Sequence, residues 1–267
     1  MKIVSLNAWG GQVWDALGPW VSALKPDVLC LQEVTRAPSP SPEWLAYKDA
    51  YRHLEQRADL FSDISRLLPQ HQARFAPATR GTLFDAEGGE VASEHGLGLW
   101  VRRDLAVTHS VQDFIHGTYR SGGWGAEPVP RTMQAVRVED TATGRSVCIG
   151  HLHGLRDPDG KGDTPARAAQ TQRIVEVFTQ VWTSGVSGVL AGDFNLLPDS
   201  ECFDVLAGAG LHDLIAHHGI TDTRTALYTK DQRFADYMLV SPDLIDALFD
   251  VPAGPEVSDH RPLILTL

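Results

Sequence analysis

The residues in this chain that could ligate a metal or move a proton share one placement: each sits at or just past the end of an apolar run. Asn7 follows KIVSL, Glu33 follows VLCLQ, and His151 follows SVCIG. Asp193 and Asn195 follow GVLAG; Asp236 precedes YMLV; the pair Asp259-His260 precedes RPLILTL. Strand ends are where a rigid scaffold presents site residues. The set combines carboxylates, amides and imidazoles, with no suitable cysteine nucleophile. That is the inventory for a hard divalent cation and hydrolysis, because oxygen ligands suit Mg²⁺ or Mn²⁺. Zinc would need three or four N or S ligands at short spacing, and His151-Leu-His153 offers only half of such a set. Taken singly, each residue has an ordinary explanation. Asn7 before Gly10-Gly11 can make a turn, Glu33 can be a solvated loop carboxylate, and GDFN and SDH can be loops. It is their order and joint spacing that resist that reading.

Several further residues could contact a phosphate. His153 lies two residues past His151, and on a strand i and i+2 share a face. Arg131 opens an apolar run after a loop, Arg120 lies within that loop, and Arg156 follows HLHGL. Arg forks match phosphate oxygens, although an exposed loop arginine is the commoner case. The remaining histidines (53, 71, 95, 109, 116, 212, 217 and 218) read as surface or packing residues.

The elements that must position these groups alternate along the chain. Short strand-type runs are expected at Lys2–Leu6, Asp27–Gln32, Leu97–Val101, Ala106–Val111, Thr132–Val138, Ser146–His151, Ser187–Ala191, Tyr237–Val240 and Pro262–Leu267. Apolar residues at helical spacing predict helices over Val13–Leu24, Leu54–Leu68, Pro165–Thr183 and Glu201–Ala207. The third has Asp163 or Thr164 as its cap and Pro165 at its first position. Strands outnumber helices and some are neighbours in sequence. This excludes a simple βαβ repeat and favours two mixed sheets with helices outside. Ala37–Pro42 reads as a stiff loop, and Gly117–Pro130 as a long irregular one of the functional kind.

Composition bounds the rest. The chain has 267 residues, 43% apolar and 21% charged, which excludes a disordered chain and is enough for one domain over residues 1–267. Lys plus Arg is 23 against 34 for Asp plus Glu, a formal charge of −11. Such a chain does not wrap nucleic acid with its whole surface, but a local cleft can still take a phosphate. Cys30, Cys148 and Cys202 are odd in number and lack a CxxC, so no disulfide framework is expected. The stretch MKIVSLNAWGGQ lacks the longer apolar run of a signal-type leader, so none is expected, and no run of about 18 apolar residues occurs. A soluble, cytoplasmic protein without stable membrane association or an evident obligate protein partner is the expectation.

In order, SLNAWG at 5–10, LQEV at 31–34, EHGLGLWVRR at 94–103, GHLHG at 150–154, GDFN at 192–195, ADYMLVS at 235–241 and SDHRPL at 258–263 resemble the endonuclease/exonuclease/phosphatase superfamily. That superfamily includes DNase I-like nucleases, abasic-site endonucleases, inositol polyphosphate phosphatases and neutral sphingomyelinases. The matching residues run from the first strand to the last. The resemblance implies a four-layer αββα sandwich, an α/β fold of two packed mixed β-sheets with outer helices. It also implies roles. Glu33 would be the main Mg²⁺ (or Mn²⁺) ligand, with Asn7 beside the metal and Asp259 on the metal side. Asp193 would orient and deprotonate water. Asn195 and His260 would meet the phosphate, and Asp236 would hold the His260 tautomer. His151 would contact the phosphate or assist the leaving oxygen, with His153 the alternative if the register differs. Several nucleases of the family carry a second carboxylate where this chain has Trp9. A metal site less rich in carboxylate is therefore implied, with Trp9 lining the pocket or stacking on substrate. The substrate would be a phosphoester, either nucleic acid or a small molecule or lipid headgroup. A non-catalytic binding module on the same fold would be expected to have lost Glu33, Asp193 or His260, and all three are present.

Overall fold

The computed structural model of the chain describes residues 1–48, 53–124, 128–158 and 160–267; residues 125–127 of the Gly117–Pro130 loop lie outside the described residues. In chain order, β1 (Lys2–Asn7) leads through a 3-10 turn at Trp9–Gly11 to α1 (Trp14–Leu24) and β2 (Val28–Arg36). Then come β3 (Trp44–Lys48), β4 (His53–Arg57), α2 (Leu60–Leu67), β5 (His71–Phe84), β6 (Glu90–Arg102) and β7 (Leu105–His116). They are followed by β8 (Arg131–Asp140), β9 (Arg145–His153), α3 (Pro165–Phe178), β10 (Ser187–Asp193), α4 (Cys202–Gly208), β11 (His212–Asp213) and α5 (Leu214–His217). The chain closes with β12 (Asp236–Val240), β13 (Leu248–Asp250) and β14 (Leu263–Thr266).

Two mixed sheets form. One runs β13-β14-β1-β2-β6-β5-β3-β4 and the other β11-β12-β10-β9-β8-β7. Among the described residues each has one parallel pair, β1 with β2 and β9 with β10. A parallel pair needs a long crossover, and α1 and α3 supply it. The central strands are apolar on both faces because both are covered. Ile3, Val28 and Cys30 enter the core cluster shared with the second sheet, whereas Val4, Leu29 and Leu31 pack with Leu17 and Val21 of α1 and Leu60 and Ile64 of α2. Ile174, Val177 and Phe178 of α3 and Leu206 of α4 join the shared cluster. Helices thus lie outside two packed sheets, as expected. All three cysteines are free and buried. Among the described residues no helix is long and apolar enough to cross a membrane.

Two elements differ from the sequence expectation. Residues 54–68 are not one helix. His53–Arg57 pairs with β3, and the helix begins only at Leu60, where Asp59 caps it by accepting from the Ser62 N–H at 3.1 Å. The extended backbone before that cap carries Arg57 into a buried position, where its Nε donates to Asp63 at 2.7 Å and its guanidinium stacks on Trp14 and Trp44. A tertiary pairing here overrides local helical spacing. The helix expected to run to Thr183 stops at Phe178; its cap is Thr164, while Asp163 accepts instead from the Glu201 N–H at 2.9 Å.

Candidate active site

The two parallel strand pairs end at one place. Asn7 ends β1 beside Gln32 of β2, and His153 ends β9 directly beside Asp193 at the end of β10. On the other side of β10, Asp193 pairs with Asp236 at the start of β12. Register alone therefore lines up His153, Asp193 and Asp236 across one sheet, facing Asn7 and Glu33 of the other. The turn before β14 adds Ser258, Asp259 and His260. It is tied to β1 by the Ser258 hydroxyl donating to the Asn7 carbonyl at 2.7 Å.

Four non-glycine residues among those described have left-handed backbones, and three lie here: Trp9 (φ 49°), Glu33 (φ 54°) and Asn195 (φ 54°). Such conformations cost roughly 1–3 kcal/mol each and persist where surrounding structure over-determines them. For Glu33 the cause is visible. The pairing of β2 with β6 slips between Leu31 and Val34, and the bulge turns the carboxylate out of the strand's ordinary alternation.

Asn7 joins the two halves. Its Nδ2 donates to Glu33 Oε1 at 3.2 Å and to Asp193 Oδ2 at 3.0 Å, while its Oδ1 accepts from the Trp9 N–H at 3.0 Å. Asn7 thus meets both carboxylates as a donor that holds them in place. Asp193 Oδ1 accepts from the Asn195 N–H at 2.9 Å, and Asn195 Nδ2 reaches the Gly154 carbonyl at 3.4 Å. His260 Nδ1 and Asp236 Oδ2 are 2.7 Å apart, and His260 Nε2 stands 3.8 Å from Asp193 Oδ2 and 3.6 Å from Asp259 Oδ1. The carboxylate can only accept, so Nδ1 carries the proton and the ring orientation is fixed.

The charges follow from this packing. Burial opposes the ionisation of Asp193, but His153, His260, Arg224 and Lys161 outweigh it and hold the carboxyl well below the usual range. Burial likewise works against Glu33, yet the surrounding imidazoles and the Asn7 amide leave it below its ordinary value. His260 loses hydration but gains more from Asp236 and Asp193, so it titrates above the ordinary histidine value. Asp236 and Asp259 are both raised, chiefly by burial.

The predicted residues do not all arrive. His151 is fully buried and its Nε2 lies 2.9 Å from Gln134 Oε1; burial pushes its pKa down to about 3, leaving it neutral. It sits one strand repeat too deep, beside Ala191 rather than Asp193. Of the two histidines of HLH, it is His153 and not His151 that the structure places beside Asp193, its Nε2 3.7 Å from Asp193 Oδ2. Burial, then Arg131, pushes the His153 pKa down to about 3 as well, and its Nδ1 lies 3.4 Å from Arg131 Nη1. Arg131 is buried behind that histidine, and Trp9 is half-buried at the turn after β1. Arg156 is exposed, and Arg120 donates to the Trp124 carbonyl at 2.8 Å. Trp124 is itself anchored on Gly81 and on the Thr82 carbonyl, 3.0 Å from its Nε1.

Three residues were missed. Arg224 is buried at the centre, donating to Asp259 Oδ2 at 3.0 Å and contacting His260 Nε2. Lys161 donates to the Phe234 carbonyl and feels Asp193 and Asp236; burial pushes its pKa down to about 8. His95, read as a packing residue, lies near enough to Glu33 to act on its charge. None of the three follows an apolar strand, so the strand-end pattern could not find them. The one available signal for Arg224 was its place in the polar run TDTRT just upstream of ADYMLVS.

The donor set suits a divalent cation. Glu33 and Asp259 present carboxylates close enough for each to raise the cost of the other's charge, which a hard cation between them would relieve. Asp193, Asp236 and His260 also bring one possible ligand atom each within 4.8 Å of one another, although His260 Nδ1 is committed to Asp236.

A family model described as Endonuclease/Exonuclease/phosphatase family matches residues 4–260. No curated protein matches the chain in sequence. Among solved structures, a mannosyl-6-phosphatase of Bacteroides thetaiotaomicron is similar with a TM-score of 0.65 at 16% identity, covering 100% of this chain and 98% of that one. The catalytic domain of human Nocturnin is similar with a TM-score of 0.58 at 18% identity (99% and 92% covered), and humanized D. rerio TDP2 with 0.60 at 13% (99% and 97%). At these identities the likeness is one of fold.

Proposed function

The chain belongs to the endonuclease/exonuclease/phosphatase family, and from that premise we propose that it is a Mg²⁺- or Mn²⁺-dependent phosphoester hydrolase working at the site described. The observation that carries the reading is the Asn7 bridge, which ties the cation-side carboxylate Glu33 to Asp193 across the two sheets. Glu33 and Asp259 would hold the cation. When bound, it would neutralise charge on the phosphate and acidify a nearby water.

The chain's own residues account for the rest of an in-line displacement at phosphorus. Asp193 is ionised at any physiological pH and has both oxygens oriented, Oδ2 by Asn7 and Oδ1 by the Asn195 N–H. So acidic a carboxyl is a weak base. It orients the attacking water and takes the proton late, once bonding to phosphorus has made that proton acidic. Asn195 Nδ2 and the charged His260 supply donors for the phosphate oxygens. Asp236 keeps His260 charged and pointed, with the Nε2 edge, beside Arg224, turned toward Asp193. His153 stands on the other side of Asp193 as a neutral donor.

The test is hydrolysis of p-nitrophenyl phosphate, bis-p-nitrophenyl phosphate, single-stranded DNA and RNA, each with Mg²⁺, Mn²⁺, Zn²⁺ or EDTA. Turnover with Mg²⁺ or Mn²⁺ that EDTA abolishes and Asp193→Ala lowers at least about 1000-fold is expected. Turnover that survives in the variant, or that only Zn²⁺ supports, would reject this assignment.

A further inference from the structure

We propose that Arg224 is a substrate-binding guanidinium that fits this site to a terminal phosphomonoester in preference to an internal phosphodiester. The inference rests on the hydrolase reading above and names the substrate class for that same site.

The side chain is built in. Arg224 is 5% exposed, sits over the Tyr228 ring with its guanidinium carbon 4.1 Å from the ring centre, and has no hydrogen-bond partner for its buried Nε. Its backbone is equally fixed. The N–H donates to Asp222 Oδ1 at 2.7 Å, and the carbonyl accepts from Arg261 Nε at 2.8 Å and Arg233 Nη2 at 3.1 Å. A planar fork held in this way is ready to grip an oxyanion bidentately.

Its placement specifies what kind of anion. His260 Nδ1 is spoken for by Asp236, so its Nε2 is the only edge left, and Arg224 Nη1 faces that edge. Nη1 touches that nitrogen and also donates to Asp259 Oδ2, so the guanidinium and the imidazole lie side by side at one edge of the site. A phosphate oxygen entering there would accept from both. A phosphomonoester dianion has three non-bridging oxygens. One can face the cation side at Glu33, one the Asn195 amide, and the third the Arg224–His260 edge. A diester has only two such oxygens and one charge. Its third position is an esterified oxygen, a poor acceptor whose substituent would point at Arg224 and Tyr228. Lys161, close to Asp193 and Arg224, adds a second cation that favours the more highly charged ester.

The rival account is that Arg224 merely neutralises Asp259 and props His260. The two separate in a comparison of kcat/KM for p-nitrophenyl phosphate and methyl p-nitrophenyl phosphate, which share a leaving group. Wild type should prefer the monoester. Arg224→Gln should lose about 100-fold or more on the monoester and under about 10-fold on the methyl diester, with Arg224→Lys between wild type and Gln on the monoester. Inorganic phosphate should inhibit the wild type much more strongly than dimethyl phosphate, which keeps the idea testable if Arg224→Gln fails to fold. Equal losses on both esters, equal inhibition by both phosphates, or wild-type preference for the diester would overturn it. Diester turnover that Asp193→Ala abolishes would then leave the hydrolase reading standing. Turnover of neither ester with Mg²⁺ or Mn²⁺ would remove both.

Discussion

At the scale of single residues, the Asp236–His260 pair governs how the site responds to pH. The two atoms are 2.7 Å apart and both residues are buried. Burial alone would make His260 hard to charge, and Asp236 reverses that sign. The charged ring therefore persists to higher pH than an ordinary histidine, and kcat/KM should fall only as pH rises through that elevated value. Asp236→Asn removes the compensating charge and leaves the desolvation, so the alkaline limb should move to lower pH while kcat falls about 100-fold or more. Linkage requires a matching change in stability. A raised histidine pKa contributes stability that is full below about 6.5, the unfolded value, and is lost as pH climbs through the folded value. Urea denaturation should accordingly show Asp236→Asn losing more stability at pH 6 than at pH 9. An unmoved alkaline limb would mean that His260 is not the group titrating in the rate.

At the scale of elements, catalysis depends on strand register to within one residue, and two glycines set how closely the strands approach. Gly192 has φ +144°, and a Cβ there would stand 2.1 Å from the Leu152 carbonyl oxygen, a backbone atom that cannot step aside. Gly192→Ala should cost about 2–3 kcal/mol, or a melting temperature lower by roughly 4–10 °C. It should also shift Asp193 away from Asn7, so that kcat drops even where the protein is folded; a variant as stable and active as wild type would rule out this packing constraint. Gly154, whose Cβ would meet the Phe194 carbonyl oxygen at 2.3 Å, constrains the neighbouring strand in the same way. The same scale explains what was legible in advance. Asn7, Glu33, Asp193, Asn195, Asp236, Asp259 and His260 could be found because each follows or precedes an apolar strand, and an apolar strand is readable as such. Which histidine of HLH reaches the cleft was not readable, because both share a face and only pairing with β10 decides between them. The long β5 and the edge pair β3–β4 also escaped. Their sequences, HQARFAPATRGTLF, WLAYK and HLEQR, lack a clean apolar pattern and owe their extension to partners distant in sequence.

The molecule as a whole places this site at the seam of its two sheets, with Glu33 on one side and Asp193 and Asp236 on the other. Asp259 comes from the turn before β14. Four carboxylates thus converge in a chain whose formal charge is already −11. Arg224, Lys161 and His260 offset part of that charge, and Asp259 remains raised partly because Glu33 is near. A divalent cation held by the two would remove the remaining repulsion. Because the unfolded chain has no such cluster, binding should appear as stability. At a cation concentration about 100 times its dissociation constant the gain is about 2.7 kcal/mol, which for a chain of this size raises the melting temperature by roughly 5–10 °C. Thermal unfolding followed with increasing Mg²⁺ or Mn²⁺ after EDTA treatment measures it directly and needs no substrate. Glu33→Gln should fold but lose most of that shift, since it removes a carboxylate held by Asn7 for the cation. A full shift in Glu33→Gln would place the cation instead among Asp193, Asp236 and His260, where it would have to compete with the 2.7 Å contact that keeps His260 oriented.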